Sequence, residues 1–499
     1  MCGVIGLIGT QNAAHEAFLS LVTLQHRGQD AAGIMSYSPA GFHQVKNLGL
    51  VESVFTKDNI QHLKGEMAVG HNRYSTVGTG DISDVQPLVM NYPFGIGMVH
   101  NGNIVNHGSL GEQLRSQSRR HLLTQSDTEV LLNLFAEGLT SSSSVHKPGL
   151  DFEQICYALQ PLYSAVNGSF SVVTLIAGHG LVAFRDSNGL RPLVWGKKKS
   201  DVLPSGEAHM VASESVALNI NGYEVVRSLK PGEVLFIDLE GNVHSRVIRA
   251  KEKRHCMFEW VYFASPESDI DDKPVYRTRF NLGKSLALQL KGEFKDRNIK
   301  PDMVVPVPES SRIAAIALSE ELEIPYRELL IKNRYIKRTF ILDTQDKRRR
   351  AVKLKLSPVP SELAGKKVLL IDDSIVRGTT SKKIIELVRE AGAKEVYFVS
   401  TCPPVRHPCF YGVDFPDRKE LVANEKNEKE IESHLGADAV IHQKPQGLVQ
   451  SILNSQESSE ENWTPCMACL DGKYPSDVSE GQGFSEKRKK DRKVQQSEG

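Results

Sequence analysis

The chain has 499 residues, and its 61 lysines and arginines set against 60 aspartates and glutamates leave a formal net charge of +1 at pH 7, which excludes the broad basic field behind nonspecific nucleic-acid binding. Its longest apolar runs, such as Val-Leu-Leu-Ile at 368–371, fall far below the ~20 residues that span a bilayer, and the start shows no basic n-region before an uninterrupted apolar stretch. Seven scattered cysteines, an odd number, suit a reducing, cytoplasmic setting in which thiols serve as nucleophile or metal ligands rather than as a disulfide framework.

The length predicts two domains of about 200 to 250 residues each. Residues 2–245 read as an α+β layered domain: short β-type segments (2–9, 66–76, 95–105, 170–177, 180–186, 209–215 and 233–241) with glycine-rich turns, and helices near 13–25, 126–138 and 151–164. Residues 246–274 form a connector. From 275 to 455 the rhythm changes: apolar strands at 302–308, 367–373, 395–401 and 438–443 alternate with helical patterns near 279–295, 312–322, 380–392 and 445–453, the alternation of an α/β parallel sheet. Residues 456–475 carry a C-x-x-C pair. Residues 476–499 are polar and read as a solvated or disordered tail, with nucleic-acid binding by the basic run at 486–493 as the lesser reading.

Cys2 follows Met1, and a small second residue permits methionine removal. The mature chain would then begin with a thiol and an α-amine on one residue. That amine, with an ordinary pKa of about 7.7–8.0, can take the thiol proton. Alone, a cysteine in Cys-Gly-Val-Ile-Gly-Leu-Ile is more often a small buried hydrophobe. Four further segments bear on it: Gln25-His-Arg-Gly-Gln-Asp30, His71-Asn-Arg-Tyr-Ser-Thr-Val-Gly78, His100-Asn-Gly-Asn-Ile104 and Ser126-Asp-Thr-Glu129. Singly each also fits a turn or a helix cap. Together they resemble the class II glutamine amidotransferases over residues 2 to about 240. The resemblance implies a four-layer Ntn-hydrolase-type fold in which Cys2 attacks the glutamine carboxamide. It further implies that the Asn101 side chain and Gly102 amide form the oxyanion hole, Arg73 pairs with the α-carboxylate and Asp127 holds the α-ammonium.

A second motif, Val-Leu-Leu-Ile-Asp-Asp-Ser-Ile-Val-Arg-Gly-Thr-Thr at 368–380, ends a buried strand in two carboxylates and then runs through serine, glycine and threonine into a helix. Loop amides and hydroxyls at a positive helix end suit phosphate; the bland alternative is a turn with a threonine cap. The motif resembles that of the type I phosphoribosyltransferases. The resemblance implies that Asp372 and Asp373 bind the ribose hydroxyls and that Ser374, Val376, Arg377, Gly378, Thr379 and Thr380 cradle the 5′-phosphate. Ser310, in the turn Pro308-Glu-Ser-Ser311, would stand near Mg²⁺ and diphosphate with Asp372 and Asp373. The basic segments 332–340, with Arg338, and 347–355 would close over diphosphate, or form a solvated basic face.

Both resemblances on one chain imply a glutamine-dependent pentosyltransferase opening de novo purine synthesis. Glutamine, 5-phosphoribosyl diphosphate and water would give 5-phosphoribosylamine, glutamate and diphosphate, with ammonia passing between sites. They also imply a homotetramer inhibited by purine nucleotides. Glucosamine-6-phosphate synthase shares the amidotransferase half but needs no ribose-phosphate loop. A catalytically silent sensor of phosphoribosyl diphosphate would need no nucleophile.

Cys466-Met-Ala-Cys469 suits a metal, a cluster or a redox pair. One branch of the second site's bifunctional relatives carries a [4Fe–4S] cluster, and its ligand contexts resemble those of Cys256, Cys409, Cys466 and Cys469, with zinc the alternative for four thiolates. Two departures stand out: that branch often carries a propeptide before the nucleophile, and a polar insert around 455–462 precedes Cys466 here. Cys156 and Cys402 read as ordinary buried thiols.

Overall fold

The computed structural model describes residues 1–74, 81–141, 149–333, 356–413, 415, 417–455 and 463–483. Its first half contains thirteen strands: β1 (Gly3–Ile8), β2 (Ala31–Ser38), β3 (Gly41–Leu48), β4 (Met67–Arg73), β5 (Leu88–Met90), β6 (Ile96–Ile104), β7 (Gly168–Ile176), β8 (Gly180–Arg185), β9 (Val194–Lys199), β10 (Glu207–Ala212), β11 (Glu224–Ser228), β12 (Glu233–Asp238) and β13 (Val243–Val247). They form two antiparallel sheets, ordered β11-β9-β10-β1-β4-β2-β3 and β13-β12-β8-β7-β6-β5.

The sheets pack face to face through Val4, Ile8, Val69, Val99, Val173, Leu181, Val211 and Leu235. They approach so closely that a Cβ on Gly6 would sit 2.3 Å from Val173 Cγ1, which is why a strand interior tolerates glycine there. Helix Ala13–Thr23 covers the outer face of the first sheet through Ala17 and Leu21. Helices Asp127–Ser141 and Phe152–Ala165 cover the second through Leu131, Phe135, Ile155 and Leu159. The result is the expected α/β/β/α stack. Most central strands carry the apolar runs visible in the sequence, although β2 and β9, also inside the first sheet, were not read from it; the edge strands β3, β11 and β13 read Gly-Phe-His-Gln-Val-Lys-Asn-Leu, Glu-Val-Val-Arg-Ser and Val-His-Ser-Arg-Val and gave no such signal.

In the second half four parallel strands, Met303–Pro306, Lys367–Asp372, Glu395–Ser400 and Ala439–His442, lie in that order. One face packs on helices Val275–Asp296 and Arg312–Leu322 through Leu286, Leu290, Leu318, Leu369 and Val399. The other packs on Thr379–Glu390 and Glu428–Leu435 through Ile384, Val388, Leu370, Phe398 and Leu435. Helix Glu428–Leu435, closed by an Asn427–Glu430 capping box, was not expected. Among the described residues no helix is long and apolar enough to cross a membrane.

The connector is more structured than its sequence suggested. It holds a π-helical turn, Glu259–Phe263, and a short hairpin pairing Asp269–Ile270 with Lys273–Pro274. Residues 476–483, expected in the tail, are tied down instead: Ser476 N donates to Tyr411 Oη at 3.1 Å and Ser109 Oγ to Glu480 Oε1 at 2.8 Å. Where the halves meet, the charges are buried and matched. Arg27 binds Glu214 through Nε and Glu259 Oε2 through Nη2 at 2.7 Å, Arg191 Nη1 lies 3.3 Å from Glu259 Oε1, and Arg185 holds Asp271. Burial opposes ionisation of Glu214, but Arg27 and His26 overcome it and hold the carboxyl well below its usual range.

A carboxyl with a depressed folded pKa stabilises above its unfolded value, about 4.3 for glutamate, and that contribution is lost as pH falls toward the folded value. Glu214→Gln should therefore cost about 3–5 kcal/mol at pH 7.5. In urea midpoints the gap from wild type should shrink steadily below about pH 4.3; a gap independent of pH would refute the ionised pairing.

Candidate active site

Cys2 sits at the open end of β1, half-buried, between β4 and β6. Its backbone N donates to Asn101 Oδ1 at 3.3 Å, and its Sγ accepts from Tyr74 N at 3.5 Å. Asn101 is buried, and its Nδ2 has no partner among the described residues: one end of the amide is used and the donor end is free. Gly102 follows with no room for a side chain, because a Cβ would meet Ser169 O at 2.0 Å and His100 Nε2 at 2.6 Å.

Arg73, at the end of β4, places Nη2 3.5 Å from Asp84 Oδ2. Asp127 opens its helix, and its Oδ2 accepts from Ile104 N at 3.0 Å. Burial works against its ionisation, but the His100 ring and the Ile104 N–H more than offset this and hold the carboxyl below its ordinary range. Burial pushes the Cys2 thiol up, with the adjacent amino terminus, the Tyr74 N–H and Arg73 opposing. The Met1 α-amine, buried in the same place, falls to about 5 because burial disfavours its charged form. The segment 25–30 packs on the end of β4: Asp30 N donates to Arg73 O at 3.1 Å, and a Cβ on Gly28 would lie 2.6 Å from the Arg73 carbonyl carbon.

Several residues escaped the sequence reading. Gln86 Oε1 accepts from His100 N at 2.6 Å while its Nε2 donates to Thr128 Oγ1 at 2.8 Å. One buried amide thus links the strand of Asn101 to the helix of Asp127. Asp84, Glu214 and Glu259 also went unnoticed, since isolated acids carry no local signal of the arginine they will meet.

At the second centre Asp372 and Asp373 end their strand, both buried, and burial raises both carboxyls above the ordinary range, helped at Asp372 by its neighbour's charge. Asp373 accepts from Ser310 Oγ and from Ser374 Oγ at 2.6 Å, and its N donates to Asp372 Oδ1 at 2.9 Å. The turn at 308–311 and the loop after 372 are therefore in contact. Gly378 has φ +74° and begins the helix, with Thr379 and Thr380 exposed in its first turn. Val376 contributes backbone and packing: its carbonyl accepts from Val422 N at 2.9 Å. Arg377 turns outward to Glu420, Nε to Oε2 2.9 Å. Arg338 and the basic run at 347–355 lie outside the described residues. A missed residue, the buried Arg279, donates to the carbonyls of Trp260 (2.9 Å), Tyr262 (3.0 Å) and Ala264 (2.8 Å) and acts electrostatically on Asp373.

The four thiols singled out in the sequence come together. Cys256 pairs with Cys466 in an isolated parallel bridge, the carbonyl of Cys469 accepts from Arg406 N and His407 N, both at 2.9 Å, and Cys469 shares a core cluster with Cys256 and Cys402, against which Cys409 packs. Burial pushes Cys256 to about 11 and Cys466 and Cys469 further up, so free of metal they are neutral. Among the described residues no group of three or more His, Cys, Asp or Glu side chains is arranged to hold a metal ion. At the residues expected to face magnesium, Asp373 accepts from the Ser310 and Ser374 hydroxyls, whereas Asp372 Oδ1 accepts from Asp373 N. Cys156 lies in the core beside the second sheet and Cys402 is fully buried in the second half.

Residues 71–219 match the glutamine amidotransferase domain model and residues 279–431 the phosphoribosyl transferase domain model. The chain is 43% identical over 454 residues to an amidophosphoribosyltransferase of Escherichia coli, covering 91% of this chain and 88% of that one. It is 41% identical over 453 residues to that of Pseudomonas aeruginosa (91% and 89%) and 38% identical over 499 residues to that of Saccharomyces cerevisiae (98% and 95%). The solved structure of a glutamine phosphoribosylpyrophosphate amidotransferase from B. subtilis, complexed with ADP and GMP, superposes with a TM-score of 0.82 at 37% identity, covering 96% of this chain and 98% of that one. With a free amide donor beside a half-buried thiol in one half and paired carboxylates before a helix start in the other, the chain belongs to the amidophosphoribosyltransferase family.

Proposed function

We propose that the two centres divide the reaction as follows. With Met1 removed, the Cys2 α-amine, held by Asn101 Oδ1, takes the thiol proton. The thiolate attacks the carboxamide carbon of glutamine, the proton passes to the departing nitrogen, and ammonia leaves a thioester. Water then cleaves the thioester to glutamate and restores the thiol. Asn101 Nδ2 and the Gly102 amide carry the negative charge on the carbonyl oxygen in both halves. Arg73 receives the α-carboxylate through its planar guanidinium, with Asp84 fixing that group beforehand, and Asp127 receives the α-ammonium. The observation that carries this reading is the divided Asn101 amide, whose acceptor end holds Cys2 N while its buried donor end stands free.

Ammonia crosses the seam to C1 of 5-phosphoribosyl diphosphate, forms the C1–N bond and displaces diphosphate. Asp372 and Asp373 bind the ribose hydroxyls and Ser374 through Thr380 the 5′-phosphate at the helix start. Ser310, Asp372 and Asp373 would hold magnesium beside the diphosphate, where the ion would supply charge neutralisation of the leaving group. The protein's part is mainly positioning and exclusion of water, since diphosphate already leaves well.

For the four thiols we favour the [4Fe–4S] cluster over zinc, because their sequence contexts resemble those of the cluster-bearing branch; Cys256, Cys409, Cys466 and Cys469 would hold it as a structural staple. A cytoplasmic homotetramer inhibited by purine nucleotides completes the proposal.

Cys2→Ala should abolish glutamate release from glutamine while leaving synthesis from ammonia intact; unchanged glutamate release would sink the mechanism. Asp127→Asn should raise the glutamine KM by about 10- to 100-fold, the worth of a charge-assisted contact, with ammonia-dependent synthesis unaltered. An anaerobic iron and sulfide count on wild type should give about four of each, and zinc without iron would overturn the cluster assignment.

A further inference from the structure

We propose that the transferase half completes the oxyanion site of the amidotransferase half through its segment Cys409–Gly412, and that Arg191 is the positioning residue that fixes this join. The inference rests on the reading of Cys2 and Asn101 given above.

The contacts converge on the strand that carries the oxyanion donors. Asn103, next to Gly102 on β6, donates from Nδ2 to Phe410 O at 2.8 Å. Ser169, its cross-strand partner on β7, donates from Oγ to Tyr411 O at 3.0 Å and accepts from Asn103 N at 3.2 Å. Gly412, at φ +101°, lies so near that a Cβ there would sit 3.2 Å from the Gly102 carbonyl oxygen. Arg191 is fully buried and grips the same Tyr411 carbonyl with two donors, Nε at 2.8 Å and Nη2. Its own carbonyl accepts from Ser171 Oγ at 2.9 Å, and Ser171 is the cross-strand partner of Asn101. Its Nη1 reaches Glu259, which Arg27 also holds.

Each oxyanion residue is thus braced from behind by a chain ending at Tyr411. Oxyanion donors work only where their position is fixed before charge develops, to about 0.5 Å. The amidotransferase half supplies the donors; the segment 409–412 supplies the stop against which β6 rests. Arg191 acts through Tyr411 and Ser171 and touches no substrate.

The test uses the full-length protein and the variants Asn103→Ala, Ser169→Ala and Arg191→Lys. Asn103→Ala and Ser169→Ala each remove one hydrogen bond and keep the fold testable should Arg191→Lys fail to fold. The expected result is a fall in kcat for glutamine hydrolysis of about 10-fold or more, part of the 10²–10³ that loss of one oxyanion donor costs, with the glutamine KM little changed. Alkylation of Cys2 by iodoacetamide should keep its wild-type rate, because displacement at a saturated carbon develops no oxyanion, and ammonia-dependent synthesis should persist. Undiminished kcat in Asn103→Ala and Ser169→Ala would overturn the proposal. So would a parallel fall in alkylation rate and rise in glutamine KM, the mark of general disruption. Cys2→Ala serves as control: if it still hydrolyses glutamine, the underlying reading fails, a result distinct from either.

Discussion

A single carboxylate, Glu259, organises the seam between the two halves. It lies on the connector, out of water, and is shared by two buried arginines from opposite sides, Arg27 from the loop beside Cys2 and Arg191 from the turn after β8. Removing ions from water is costly, and the cost is recovered only when every partner is in place. Arg27 therefore demands Glu214 as well, and Glu214 in turn accepts from Ser265 N and Ser268 Oγ of the connector. The arrangement closes only when loop, turn and connector arrive together, which gives the two halves one relative position rather than a range.

The two centres are built on opposite electrostatic plans. Around Cys2 the donors are left unspent: Asn101 Nδ2 has no partner among the described residues, and the thiol accepts from the Tyr74 backbone N–H. Around Asp373 the acceptors are already engaged, each carboxylate oxygen taking a serine hydroxyl. The first suits charge that appears during a reaction. The second suits a polyol that exchanges its hydroxyls for those of serine.

The parts of this molecule that were legible in the sequence are those in which local pattern and chemistry coincide. Apolar runs marked β1, β4, β6 and β7 and the parallel strands because both faces of each are buried, and Asp372–Thr380 announced a phosphate loop because strand, acids and helix start follow one another. Edge strands β3 and β11 stayed hidden because one side of each faces solvent and their residues are mixed. Cys2, Asn101 and Asp127 could be grouped only through resemblance, being far apart in the chain, yet each stood in a motif. Gln86, Asp84, Glu259, Arg191 and Arg279 stood in none: their meaning is a partner 10 to more than 200 residues away, and no local pattern encodes such a pairing. The connector's π-turn was hidden for a related reason, since Arg279, on the helix that follows, takes up three carbonyls around its end.

The bracing of β6 by residues 409–412 also has a meaning in the order of synthesis. The nucleophile leaves the ribosome long before Tyr411 and the Ser476 that anchors its hydroxyl. A half-made chain therefore carries the thiol without the backstop, and a truncated one never acquires it. Waste of glutamine by unfinished protein is then curbed by the order of the chain itself.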